Sequence, residues 1–115
     1  MERVATIELN QKEVGFRLTS SEIANAESRM GKPFTELLQD ASVTMMATLL
    51  KHMRKWEVPN FGQNDAYELL DELVDSGMTY SDIYWKIFAP VCVNAGVISA
   101  DAIKKVEEES NEEKN

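Results

Sequence analysis

The sequence predicts an α+β fold that is mainly α: an N-terminal β-hairpin packed on a small bundle of about five helices. Three observations predict it. Val4–Leu9 and Val14–Leu18 are β-rich runs that alternate apolar and polar residues, with the polar stretch Asn10–Glu13 between them as a turn. From Ser20 onward, apolar residues recur at helical spacing. Gly31 with Pro33, Pro59 with Gly62, Gly77 and Gly96 then cut that helical stretch into separate elements.

Each element has a local reason. Thr19 supplies a hydroxyl cap with Glu22 three residues on, so a helix starts at about Ser20. Ile23, Ala26 (or Glu27) and Met30 give it a thin apolar stripe, and Gly31 and Pro33 stop it. A second helical region is expected from about Phe34 to Lys55, bending near Asp40–Ser42. Its run Val43–Leu50 is apolar nearly all round, with Thr the only polar type, as in a central buried helix. Trp56–Gly62 reads as a loop. Asn64 or Asp65 is placed to cap the next helix. Ala66, Tyr67, Leu69, Leu70, Leu73 and Val74 line its apolar side, with Glu68, Asp71, Glu72 and Asp75 toward water.

Thr79 with Asp82 opens a further helix carrying Ile83, Tyr84, Ile87, Phe88, Val91 and Cys92. Pro90 lacks an N–H and crowds the preceding turn, which predicts a kink or break near Lys86–Ala89. Ser99 or Asp101 starts a last short helix to about Glu108. Residues 1–106 are read as one domain, with the hairpin at 4–18 and helices over 20–106. Residues 107–115 are read as a disordered acidic tail.

The 115 residues are 43% hydrophobic, enough for a modest core. The net charge is −8 and the isoelectric point about 4.6. Half of that charge is the net charge of the tail, five glutamates against Lys114. The sign disfavours direct nucleic-acid binding. A basic partner, or solubility alone, is its natural counterpart. One cysteine, Cys92, excludes an internal disulfide. No apolar run is long enough to span a membrane and no signal peptide is visible, so a cytoplasmic protein is expected.

Chemistry-bearing residues are few. His52, the single histidine, sits among Lys51, Arg54 and Lys55, which would repel a metal ion. It reads as a solvated side chain near a helix C-terminus. The three cations read as complements to the helix dipole, with a nucleic-acid patch beside Trp56 or a contact to an acidic partner as alternatives. Cys92 has no neighbouring base and reads as a buried structural thiol. Asp71, Glu72 and Asp75 lack calcium-loop spacing, and Gly31-Lys32 lacks that of a phosphate loop. No catalytic set, metal or cofactor is therefore expected.

Aromatic and methionine side chains are the better candidates for contacting a partner: Trp56, Phe61, Tyr84, Trp85, Met45 and Met46. Tyr84 and Trp85 are adjacent on a helix, so both cannot point squarely inward.

The run VATIELNQKEVGFRLTSSEIANAESRMGKPFTELL, residues 4–38, resembles the opening of small tail assembly chaperones of long-tailed bacteriophages and prophages of Gram-positive bacteria. In those proteins a hairpin leads into a helix, a Gly-Lys link and a helix with Leu-Leu. The order of later elements is similar: an acidic amphipathic helix over Asp65–Ser76, Gly77, a further helix and a charged tail. The likeness covers roughly residues 4–105; Pro90 and Cys92–Gly96 depart from it. It implies a non-enzymatic protein that coats the tape measure protein, delivers it for tail-tube polymerisation and is absent from the finished virion. The tail tube protein and further copies of this chain are the other partners implied. Such families often also make a longer frameshifted form, with which Lys104-Lys105 is compatible. From the residues alone, the alternative is a small acidic helical adaptor or inhibitor that binds one folded host or phage protein.

Overall fold

The computed structural model describes residues 4–40 and 42–101. Strands β1 (Ala5–Leu9) and β2 (Lys12–Phe16) pair antiparallel, with Ile7 opposite Val14 and Leu9 opposite Lys12. The turn is tighter than the expected four-residue link, because Lys12 and Glu13 belong to the strand. Asn10 and Gln11 close it alone, at φ 53° and 67°. A two-residue turn with both central φ positive matches the right-handed twist of the strands. Asn tolerates that conformation; Gln holds it at a cost of about 1 kcal/mol.

Helices follow in chain order: α1 (Ser20–Met30), α2 (Phe34–Leu37), α3 (Val43–Arg54), α4 (Gln63–Asp75), α5 (Tyr80–Ile83) and α6 (Ala89–Asn94). One π-helical turn, Tyr84–Phe88, joins α5 to α6 without a break. Counted as one rod, Tyr80–Asn94 makes the fifth helical segment, and the hairpin-on-helices architecture is as expected. The widened turn is how the chain passes Pro90: the Ala89 N–H reaches back to the Tyr84 carbonyl, and the helix continues.

Several boundaries differ from expectation for local reasons. The long second helix is two helices. The Asp40 carboxylate accepts from the Ser42 N–H at 2.9 Å, and the Ser42 hydroxyl accepts from the Met45 N–H at 3.2 Å, so Ser42 caps a fresh helix. Helix α4 starts at Gln63, with Gly62 at the cap position. Asp65 still serves the terminus, accepting the Gly62 N–H at 2.8 Å. The Thr79–Asp82 capping box forms in both directions, at 3.1 and 3.0 Å. At Thr19 only the hydroxyl half forms, because the Glu22 carboxylate bonds His52 instead. A helix begins again at Ala100; its expected course to Glu108, Lys104-Lys105 and the acidic tail lie outside the described residues.

The core is one cluster centred on α3, in which every residue from Met45 to Arg54 is buried. Phe16, Leu37, Leu73, Ile87, Phe88 and Val91 converge on it from the other elements. Each fully buried large apolar side chain contributes about 1.5–3 kcal/mol. The hairpin presents Ala5, Ile7 and Leu9 to the helices, and the Arg17 N–H donates to the Met53 carbonyl at 2.9 Å. Such docking is what a two-stranded sheet needs for stability. Three predicted core positions are exposed: Met30 at the end of α1, Val43 at the start of α3 and Val74 at the end of α4. No helix among the described residues is long and apolar enough to cross a membrane.

Candidate partner-binding surface

Six residues were singled out from sequence for partner contact, and the structure sorts them by place. Met45 and Met46 are each 3% exposed, inside the core cluster. They cannot offer an adaptable surface in this state, and Met53 at 0% is buried likewise. The correction has a simple cause. The apolar face of α3 is wide enough to be covered by the hairpin, α1 and α4 together, so its methionines fill gaps in the core.

Trp56 is half-buried over the outer face of the hairpin. Its Nε1–H donates to the Gly15 carbonyl at 3.3 Å, and the Arg54 guanidinium donates to the same oxygen. Gly15 leaves room for this: a Cβ there would lie 2.9 Å from a Val4 methyl and 3.0 Å from the Trp56 ring. Trp56 and Arg54 thus close the outer edge of β2, whose carbonyl would otherwise be unpaired. Tyr84 is also turned inward. Its hydroxyl donates to the Leu38 carbonyl and its ring meets Phe88 edge-on at 5.5 Å. Trp85, the other member of the pair, is 37% exposed, so one of the two faces outward as helix geometry requires.

Phe61 is the residue that marks a site. It is half-buried in the wall of a groove of about 420 Å³ between the hairpin and α4. Leu9, Val14, Phe61 and Leu69 form the apolar floor. Asp65, Glu68 and Glu72, at successive turns of α4, form one edge; Lys12 stands on the other. Asp71 and Asp75 continue the carboxylates over the solvent face of α4. The groove is an apolar slot with one acidic bank, which fits an amphipathic segment carrying basic residues beside its apolar stripe. Among the described residues no three His, Cys, Asp or Glu side chains are grouped so as to hold a metal ion.

The histidine and its neighbours are not where the sequence suggested. His52 is 2% exposed, and its Nδ1 lies 2.8 Å from a Glu22 carboxylate oxygen, tying α3 to α1. Burial pushes its pKa below the ordinary value, against the opposing hydrogen bond to Glu22. Arg54 is buried on Gly15 and pairs with Glu57 at 3.1 Å, so it is a structural bracket and not a free complement to the helix dipole. Cys92 is 1% exposed, and burial pushes its thiol up to about 11, the behaviour of an inert structural cysteine. The groove itself was not legible from the sequence, because the hairpin and α4 meet only in the fold. The signal that existed was the acidic residues at 65, 68 and 72, one helical face beside an apolar one.

Comparison with protein-family models, with curated proteins and with solved structures finds no match to this chain.

Proposed function

We propose that this protein is a non-enzymatic tail assembly chaperone of a long-tailed bacteriophage or prophage. It binds the tape measure protein in the host cytoplasm and keeps it soluble until the tail tube assembles. The observation that carries the reading is the hairpin–α4 groove, whose apolar floor and acidic bank suit a basic amphipathic helix of a long coiled-coil client. The resemblance of residues 4–38 to the opening of such chaperones supplies the identity of the client. The exposed Trp85 is a second apolar contact point.

Co-expression with the longest coiled-coil-like reading frame encoded downstream tests it, followed by size exclusion with light scattering. A soluble long protein carrying many copies of this chain is the expected result. A long protein that stays insoluble or elutes alone refutes the assignment. A fixed one-to-one complex with a folded protein instead identifies an adaptor or inhibitor.

A further inference from the structure

The cleft between α1 and α3 differs in charge from the rest of the surface. The chain as a whole carries −8, and carboxylates outnumber cations both in the hairpin–α4 groove and in a second cleft over the outer face of the hairpin, lined by Glu13, Arg17, Trp56 and Glu57. The α1–α3 cleft, about 400 Å³, is lined by Glu22, Asn25, Ser28, Arg29, His52 and Lys55. Lys51, 6% exposed, lies close enough to feel the charges of Arg29 and Lys55. Among the described residues none of these three cations forms an ion pair. Lys55 makes one long contact, 3.4 Å to the Pro59 carbonyl, which leaves further ammonium donors. The single carboxylate, Glu22, is engaged by His52 Nδ1, while His52 Nε2 is buried with no hydrogen-bond partner.

We propose that this cleft binds a doubly charged tetrahedral oxyanion, the phosphate group of a small phosphomonoester, through Arg29 and Lys55 with Lys51 behind them. In the lining, Arg29 and Lys55 outweigh Glu22 by one positive charge, and Lys51, within electrostatic range, adds a second, which suits a phosphate dianion. The guanidinium fork and ammonium donors match its oxygens, and Ser28 and Asn25 add neutral donors. The cleft has room for a small phosphomonoester as well as for the bare ion. Negative charge placed here favours the protonated imidazole of His52. The charged groups acting on that ring are Glu22 from α1 and Lys51 and Lys55 from α3, with Arg29 of α1 in the same cleft lining. Anion binding and proton uptake therefore reinforce each other.

His52 is the only histidine, so its ring C–H signals in a proton–carbon NMR spectrum of the full chain need no assignment. The chain is titrated with sulfate, whose charge is constant across the histidine range, then with glycerol phosphate, with sodium chloride at matched ionic strength as reference. Expected are saturable shifts of the His52 signals, a higher His52 pKa at saturation, and binding at least about tenfold weaker in Arg29→Gln/Lys55→Gln. Both substituted side chains reach the surface, and each single variant is read alongside the double. Inorganic phosphate at the same pH separates the sources: tighter binding of glycerol phosphate supports the ester, and equal or tighter binding of inorganic phosphate overturns the ester in favour of the free ion. Shifts that follow ionic strength alone, or saturation that survives in the double variant, overturn the proposal.

Discussion

Helices α3 and α4 lie side by side and both carry charged residues, yet use them in opposite ways. Along α3 the polar side chains are drawn inward. Thr48 bonds the Thr44 carbonyl at 2.8 Å and the Gln63 amide at 3.2 Å, His52 holds Glu22, and Arg54 holds Gly15. Along α4 the carboxylates Glu68, Asp71, Glu72 and Asp75 face water. The contrast separates charges that hold the fold together from charges left exposed to solvent. Of the basic run, Arg54 is structural, while Lys55 lines the α1–α3 cleft; the acidic run of α4 is exposed.

The sharpest way to break that comparison is to place equivalent charges on the two helices. Leu49→Asp on α3, at 1% exposure, buries an unpaired carboxylate and should abolish folding. Val74→Asp on α4, at 43% exposure, should leave the melting temperature nearly unchanged. Circular dichroism melts of the two variants check both, and a folded Leu49→Asp would mean α3 is itself an exposed surface. The next effect in size is Arg54→Met, which removes a buried charged donor from the Gly15 carbonyl. It should cost ~2 kcal/mol in urea unfolding, with Trp56 retaining part of the contact.

A smaller effect concerns pH. The folded-state pKa of His52 lies below its ordinary 6.5, chiefly through burial. The unfolded chain then binds the proton more readily. The stability contributed is complete above 6.5 and is lost as pH falls from there through the folded value. Melting temperatures from neutral to mildly acidic pH should decline, and the decline should be shallower in His52→Gln. The smallest change is in the turn. Gln11→Gly relieves a positive φ of 67° and should stabilise the hairpin by about 0.5–1 kcal/mol, read as a rise in urea midpoint.

Much of this contrast was legible in the sequence because its cause is local. The alternation of Ala5–Leu9, the Thr79–Asp82 box, the glycine after α4 and the two faces of α4 all depend on residues a turn apart. What was hidden depends on partners far along the chain. Glu22 was readable as half of a capping box, and only the packing of α1 on α3, thirty residues later, explains why it bonds His52 instead. Arg54 and Gly15 are separated by 39 residues, so nothing near Arg54 signals its burial. Met45 and Met46 were misjudged for the same reason: a methionine on an apolar helix does not reveal how many neighbours cover it. The cap at Ser42 was the exception, since a serine before an apolar run is a local signal.

The central claim is that the acidic bank of α4 is held for a partner and not for the fold. Glu68→Lys/Glu72→Lys tests it most directly, with melting temperature and co-expression of the coiled-coil client measured on the same variant. Asp65 is left intact because it serves the helix terminus. An almost unchanged melt is expected, together with loss of client solubility and of the complex on size exclusion. A melt that collapses, or a client that stays soluble and fully loaded, would contradict it.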